Sequence, residues 1–178
     1  MRSKLHTLLA LSFVLVAACD KNSTPTNPST TAQLSGTWNY NARLTGASGG
    51  ECVGADFQSV VGATDTGTLT ITQNGTSLTA TQTSDVAGSG SCTYSGTVNS
   101  SSFTLNMTRC DGGQVFRDFP CSNGARRDIE FATNPIDGTV NGSSITATSV
   151  ETYNVFNAGT TNRVGTLTLT ASITATKR

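Results

Sequence analysis

The sequence predicts an all-β fold: a single eight-stranded antiparallel up-and-down barrel, preceded by a signal peptide and a disordered tether. Thr, Ser, Gly and Asn are abundant and only 12% of residues are charged, so no amphipathic helical pattern emerges. Segments that alternate apolar and polar residues recur along the chain, which is typical of strands with one buried face. An even number of antiparallel strands brings the first beside the last, where they pair and close the sheet.

Residues 1–18 have the pattern of a secretory signal peptide. Arg2 and Lys4 give a basic start, and the apolar run that follows is too short for a permanent membrane span. The segment 16–19, Val-Ala-Ala-Cys, resembles the lipobox of bacterial lipoproteins. That resemblance implies lipidation of Cys19 with acyl chains such as palmitate, and anchoring to a membrane of the bacterial cell envelope. An ordinary signal peptide with a chance cysteine is the alternative.

Residues 19–33 are predicted to form a flexible linker between this anchor and the barrel domain at 34–178. They carry almost no apolar side chain and two prolines, so they cannot bury enough surface to become ordered. Because Arg2 and Lys4 leave with residues 1–18, nine of the 11 Lys and Arg remain against 11 Asp and Glu. No nucleic-acid partner is expected from this charge balance, and the protein is expected to be a monomer.

The first strand is predicted at 36–45, with the only tryptophan of the chain, Trp38, on its inner face. An alternating strand, an Asn-centred turn and a second alternating strand then recur three times. Asn-Gly turns tolerate the positive φ of tight hairpins. The last strand alternates most regularly and pairs with the first. The predicted strands after the first lie at 66–73, 77–84, 92–98, 102–109, 126–140, 144–156 and 163–176.

One of these strands is predicted to bend near Asn134 and Pro135. Phe131 holds an odd position and Ile136 an even one on what should be a single inner face. A bulge restores the alternation, and proline is well tolerated in bulges. The Gly-rich loop 46–65 has room for one helical turn.

The two ends of the predicted barrel differ. The three short turns fall at one end, together with the linker. The long connections at 46–65, 85–91, 110–125 and 157–162 fall at the other end, which we call the mouth. The protein is therefore expected to be a cup whose closed base faces the membrane.

The four cysteines of the barrel domain predict two disulfides at the mouth, as is usual for an exported protein. A zinc site is the alternative, but no Cys-x-x-Cys pair occurs and the only histidine, His6, lies in the signal peptide. No metal or cofactor is expected. The disulfide candidates are Cys52, Cys92, Cys110 and Cys121.

The disulfide pairing is predicted from the register of the hairpin between the second and third of these cysteines. That register places Cys92 opposite Arg109, which leaves Cys110 on the other side of the sheet. The expected disulfides are then Cys110 with Cys121 and Cys52 with Cys92.

Gly36, Thr37 and Trp38 on the first strand resemble the Gly-x-Trp signature of lipocalins and related calycin barrels. The eight-strand meander is similar to the fold of those proteins. The resemblance implies the same architecture with a ligand inside the barrel. It also implies a basic side chain over the tryptophan, for which Arg163 and Arg178 are the candidates.

Groups that could support catalysis are few. A Ser-His-Asp or Cys-His arrangement needs a histidine that the exported chain lacks. Asp128 and Glu130 share a strand face with Arg126, which indicates solvated ion pairs, with an acid–base pair as the alternative. Asp111 alone supplies far fewer oxygens than Ca²⁺ requires. The chain is therefore not expected to be an enzyme.

Glu151 has two interpretations. Apolar residues at the odd positions around it, such as Ala147 and Tyr153, aim Glu151 and Ser149 into the barrel. A bulge near Ser149 that turns Val150 inward is the alternative, and it leaves Glu151 on the surface. A buried carboxylate needs a hydrogen-bond donor, a raised pKa or a ligand.

Two classes of function fit these observations. The first is a non-enzymatic barrel that binds a small apolar or amphipathic ligand. The second is a protein-interaction module of the envelope, either an inhibitor of a secreted enzyme or a structural component, acting through the mouth loop 110–121. In a further arrangement, the aromatic residues of this loop plug the barrel. The pocket candidates are Trp38, Tyr40, Phe103, Leu105, Tyr153 and Glu151, and the interaction candidates are Phe116, Arg117 and Phe119.

Overall fold

The computed structural model describes residues 31–87, 90–111 and 115–178. The predicted signal peptide at 1–18, the lipidation site Cys19 and the linker up to position 30 lie outside these residues. The described part of the chain forms ten strands and one short helix. Within it, no helix has the length and hydropathy needed to cross a membrane.

Most strands follow one another both along the chain and around the sheet. In chain order, the elements are β1 (Gly36–Gly49), α1 (Cys52–Gln58), β2 (Thr64–Asn74), β3 (Ser77–Ser84), β4 (Ser91–Asn99), β5 (Ser102–Cys110), β6 (Val115–Pro120), β7 (Arg126–Thr133), β8 (Pro135–Asn141), β9 (Ser144–Asn157) and β10 (Arg163–Lys177). Eight strands close into an antiparallel barrel in the order β1, β2, β3, β4, β5, β8, β9 and β10, with β10 returning to β1. The predicted fold class is confirmed.

Three tight hairpins form the base of the barrel. Gly75 between β2 and β3 has φ 61°, and Gly142 between β8 and β9 has φ 59°. Ser100 adopts the same left-handed conformation, with φ 54°, between β4 and β5. Glycine reaches this region without a Cβ clash, which explains why the two Asn-Gly turns of the sequence mark their hairpins correctly.

The predicted bent strand 126–140 consists of two strands, β7 and β8, that separate at Asn134. β8 pairs with β5 and with the base half of β9, whereas β7 pairs with the mouth half of β9. β6, which the sequence does not predict, pairs with the outer edge of β7. A register shift between Phe116 and Phe119, with φ 55° at Asp118, breaks the alternation of β6 and removes its signal.

Two apolar clusters fill the barrel from opposite ends. The lower cluster surrounds Trp38 and Leu34 near the base, and both side chains are fully buried. The upper cluster lies at the mouth and joins Val53 of α1 to Ile129 of β7 and Leu167 of β10. Fully burying an aliphatic or aromatic side chain stabilises a fold by about 1.5–3 kcal/mol, so both clusters contribute substantially.

The four cysteines form two disulfides at the mouth, Cys52–Cys121 and Cys92–Cys110. Their Cα–Cα distances are 5.8 and 4.0 Å. The two predicted pairs, Cys110 with Cys121 and Cys52 with Cys92, are both wrong.

A β-bulge between β4 and β5 explains the wrong pairing. The register of this hairpin skips Thr108, so Cys92 faces Cys110 and no longer faces Arg109. One extra residue moves every side chain beyond it to the opposite face of the strand. Cys110 therefore points toward its hairpin partner.

α1 covers seven residues, more than the single turn that the sequence predicts. Besides the disulfide at its start, two contacts fix the helix region to the β6–β7 hairpin. Arg127 donates a hydrogen bond to Glu51 at 2.7 Å, and the rings of Phe57 and Phe119 stack with centroids 5.9 Å apart. α1 is therefore held over one side of the mouth.

Candidate functional site

A cavity of about 260 Å³ lies inside the barrel, between the two apolar clusters. Along β9, for example, Glu151 of the cavity wall lies between Ala147 of the lower cluster and Val155 of the upper one. Every barrel strand except β5 contributes to the wall. The buried or half-buried polar side chains of the wall are Asp65, Gln82, Tyr94, Asn134, Ser149 and Glu151.

A smaller space of about 40 Å³ lies next to the cavity on the side of the base. The two spaces share Ala42, Gln82, Ile136 and Ile173 in their walls. The rest of the smaller wall is almost entirely apolar. The site therefore has a polar layer above and an apolar pocket below.

The first part of the polar layer is a chain of hydrogen bonds centred on Asp65. The Asp65 carboxylate accepts from the Tyr40 hydroxyl at 2.7 Å and from the Ser84 hydroxyl at 2.5 Å. The Gln82 amide donates to the Tyr40 oxygen at 2.9 Å and accepts from the Tyr94 hydroxyl at 2.6 Å. These bonds fix the carboxylate and both tyrosines on the β1–β4 side of the barrel.

The second part of the polar layer is centred on Glu151, on the opposite wall. One carboxylate oxygen accepts from the Asn134 amide at 3.1 Å, and the other accepts from the Tyr153 hydroxyl at 2.8 Å. The Ser149 hydroxyl donates to the Asn134 side-chain oxygen at 2.7 Å. Asn134 occupies the break between β7 and β8, so the bend of this wall places an amide beside the carboxylate.

Glu151 points inward because β9 runs without a bulge. Its register with β10 is continuous from Ser144 opposite Thr176 to Val155 opposite Gly165. Odd positions of β9 therefore share one face along this whole stretch. The alternative with a bulge near Ser149 is wrong.

Burial alters the acid–base properties of the polar layer. Burial raises the pKa of Glu151, and the hydrogen bond from Tyr153 opposes this shift. Burial also raises the pKa of Tyr40 to about 12 and raises the pKa values of Tyr94 and Tyr153. The three phenols therefore remain protonated hydrogen-bond donors at physiological pH.

Among the described residues, no Lys or Arg side chain lines the cavity. Every ion pair among the described residues lies elsewhere. Those residues also contain no group of three or more His, Cys, Asp or Glu side chains that could hold a metal ion. In the described part of the chain, Asp65 and Glu151 therefore have hydrogen-bond donors but no cationic side chain as partners.

The predicted pocket residues lie at three levels of the barrel. Tyr40, Phe103 and Leu105 line the smaller space, and Glu151 lines the larger cavity. Tyr153 lies beside Glu151 and makes an edge-to-face contact with Phe131, whereas Trp38 lies in the lower cluster outside both spaces. Sequence reasoning missed Asp65, Gln82 and Tyr94.

The alternation of β2, β3 and β4 could have identified Asp65, Gln82 and Tyr94 as inward-facing residues. Gln82 follows Leu78 and Ala80 at the same two-residue spacing, and all three face inward. Asp65 and Tyr94 continue the inner faces of β2 and β4 in the same way. A polar residue on an otherwise apolar face was therefore the available indication.

Trp38 is covered by a basic side chain, but by neither predicted arginine. The Lys177 ammonium lies 5.3 Å from the centroid of the indole ring. The indole nitrogen donates to the Leu34 carbonyl at 2.8 Å. Arg178 instead donates to Asn39 at 2.6 Å, and Arg163 bonds to residues of its own strand.

The predicted interaction residues of the mouth differ in exposure and in their contacts. Phe116 is 41% exposed, and Arg117 is exposed but engaged in ion pairs with Asp128 and Glu130. Phe119 packs on α1 within the upper cluster. Of the two aromatic residues that were candidates to plug the barrel, Phe119 therefore contributes to filling the mouth and the exposed Phe116 does not.

Asp128 is buried, which differs from the predicted solvated face. Its carboxylate accepts from the backbone N–H groups of Asp118 at 2.9 Å and Gly159 at 3.1 Å, and from Arg117 at 3.1 Å. The bond from the Asp118 backbone is the main reason that the pKa of Asp128 is lowered. Arg126, its predicted neighbour, pairs with Asp118 instead. Asp128 thus ties β6 and the loop between β9 and β10 to β7.

No family model, curated protein or solved structure matches the chain. Function is therefore inferred from the chemistry of the cavity.

Replacing Glu151 by Gln is expected to change how stability depends on pH. An unfolded Glu151 loses its proton near pH 4.5, whereas the buried carboxyl holds its proton to a higher pH. Stability of the wild type should therefore fall as the pH rises from 4.5 through the raised pKa, and this fall should be smaller in Glu151→Gln. Urea denaturation at about pH 4 and about pH 8 measures the difference.

Asp137→Asn removes the same charge from the exposed outer face of β8 and serves as the control. It should not reproduce the effect. If the difference in free energy of unfolding between wild type and Glu151→Gln stays constant with pH, Glu151 is not a buried carboxyl with a raised pKa.

Proposed function

We propose that this protein is a non-enzymatic binding protein that holds a small amphipathic ligand inside its barrel. The observation that carries the proposal is the cavity of about 260 Å³ with a polar layer next to an apolar pocket. A well-formed cavity with a few convergent polar groups is the usual form of a small-molecule site. The end of a short apolar tail fits the space near Phe103 and Leu105, and the rest of the ligand, with its polar head beside Asp65 and Glu151, fits the larger cavity.

The arrangement of the polar groups supports a binding role over a purely structural one. Moving a carboxylate out of water costs free energy that its hydrogen bonds must offset, and an apolar side chain at the same position has no such cost. Here Asp65 and Glu151 are placed in the middle of the barrel, where apolar side chains would stabilise the fold more simply. Their hydrogen bonds orient both carboxylates toward the cavity.

Octanol is expected to bind in this cavity, and a larger side chain at Ala171 should displace it. Ala171 lines the cavity wall, so Ala171→Phe fills the space that the ligand needs. Isothermal titration calorimetry should show binding to the wild type and a loss of affinity of at least about tenfold in the variant.

Ala132→Phe places the same side chain at an exposed position of β7 and is the matched control. Circular dichroism checks that both variants keep the sheet, and Ala42→Phe is a second way to fill the cavity. Equal octanol affinity in the wild type and Ala171→Phe contradicts the proposal, and so does a wild-type protein that binds neither octanol nor an octyl chain with a charged head group.

The proposal includes membrane anchoring and a lipocalin-like identity for the barrel. The lipobox resemblance at 16–19 supports lipidation of Cys19 in the bacterial cell envelope, and Gly36, Trp38 and Lys177 support the lipocalin-like architecture. In a bacterial host, wild-type protein should incorporate labelled palmitate and sediment with membranes. Cys19→Ser should lose both properties, and a variant that keeps them contradicts the anchor.

A protein-interaction module of the envelope is the second candidate function. Val115 and Phe116 of the edge strand β6 favour it, because they are 48% and 41% exposed. The cavity-filling variant Ala171→Phe distinguishes the two functions. It leaves Val115 and Phe116 unchanged, so it should weaken ligand binding without affecting an interaction made through β6.

A further inference from the structure

The charge of the barrel cavity defines the ligand more narrowly than its shape does. Two carboxylates, Asp65 and Glu151, belong to its wall, and in the part of the chain that the structure describes no cationic side chain does. The ion pairs of the described residues all lie outside the cavity, as the five pairs between Arg and acidic side chains show. When ionised, Asp65 and Glu151 give the interior a negative charge that none of the described cationic side chains offsets.

Both carboxylates keep the capacity to accept further hydrogen bonds. Each of the two oxygens of Glu151 accepts one bond, from Asn134 or from Tyr153, and each oxygen of Asp65 accepts one, from Tyr40 or from Ser84. A carboxylate oxygen has two lone pairs, so one acceptor site remains on each oxygen. These sites can receive N–H donors of a ligand.

The hydroxyl donors of the polar layer are already engaged with protein acceptors. Tyr40 donates to Asp65, Tyr94 donates to Gln82, and Ser149 donates to Asn134. An anionic head group would meet two carboxylates, and among these polar groups only the second N–H of the Gln82 amide and of the Asn134 amide would remain as donors. An ammonium group has three donors, no acceptor and the complementary charge.

We propose that the barrel cavity selects ligands with an ammonium head group on a short apolar tail, with Asp65 and Glu151 as the head-group acceptors. This inference rests on the proposed binding function. The ammonium group lies in the polar layer, and the tail extends toward Phe103 and Leu105 in the apolar space. Charge-assisted hydrogen bonds in a partly dehydrated site provide the selectivity.

Octylamine, octanol and octanoate provide a direct test, because they share one tail and differ in head-group charge. Calorimetry with the purified protein near neutral pH should show octylamine binding about ten- to a hundredfold more tightly than octanol, with octanoate the weakest. Octanol binding with no preference for octylamine overturns this inference and leaves the proposed function standing. Failure of all three ligands to bind contradicts both.

Isosteric variants test whether Glu151 and Asp65 are responsible for the preference for octylamine over octanol. Glu151→Gln and Asp65→Asn should each reduce the preference for octylamine over octanol about tenfold, while octanol affinity changes little. Asp137→Asn removes one charge from the outer face and should leave the preference unchanged. A preference that persists in Glu151→Gln, in Asp65→Asn and in the double variant overturns the assignment.

Discussion

Replacing both Cys52 and Cys121 by Ser is expected to lower the free energy of unfolding by about 4 kcal/mol. This disulfide joins residues 69 positions apart, so its loss returns a large loop-closure entropy to the unfolded chain. It also links α1 to the β6–β7 hairpin across the mouth, where Cys52 and Cys121 belong to the upper cluster. The unfolded and folded states are therefore both affected.

Replacing Cys92 and Cys110 by Ser is the matched comparison. That disulfide spans 18 positions and joins two strands that already pair, so its loss should cost about 3 kcal/mol. Urea denaturation of the two double variants under oxidising conditions measures both losses. Peptide mapping without reduction identifies the pairs. The structure is contradicted if the Cys52 and Cys121 variant loses less free energy of unfolding than the Cys92 and Cys110 variant, or if mapping finds a disulfide between Cys110 and Cys121.

Replacing Trp38 by Ala should destabilise the barrel by about 3–5 kcal/mol, which is the range for large aromatic residues in a core. The Trp38 side chain is 0% exposed. It fills the base, donates to the Leu34 carbonyl and lies beneath the Lys177 ammonium. The strands around it are joined by tight hairpins, so the base has little freedom to collapse into the cavity that Ala leaves.

Trp38→Phe keeps most of the apolar volume but loses the indole donor, and it should cost less than Trp38→Ala. Phe116→Ala removes a 41%-exposed aromatic ring at the mouth and should change stability by no more than about 0.5 kcal/mol. Thermal and urea unfolding of the three variants measures the loss of stability in each and so gives their order. A loss in Trp38→Ala as small as that in Phe116→Ala would place Trp38 outside the core.

Much of the barrel could be predicted because local chemistry specifies it. Alternation along β1 and β10 marks their inner faces, and the Asn-Gly turns at Gly75 and Gly142 mark the hairpins. These signals involve residues close in sequence, so they do not depend on packing elsewhere. Closure follows because eight antiparallel strands bring β1 beside β10.

The candidate site was predicted only in part because it combines residues from distant strands. Glu151 could be identified from the alternation of β9, but its partner Asn134 depends on how the β7–β8 break packs. Asp65 and Tyr94 come together with Gln82 only when three strands are side by side. A pattern within one strand cannot predict hydrogen bonds between side chains of different strands.

By itself, the sequence determined that the chain forms an eight-stranded antiparallel barrel, that Trp38 begins its inner face and that its cysteines meet at one end. It could do so because strand period and turn chemistry act between neighbours in the chain. Only the tertiary structure decided the disulfide pairs, the strand β6 and the inward direction of Glu151. These three features depend on the register of the sheet. A single extra residue in a bulge, such as Thr108, changes which side chains face each other across two strands.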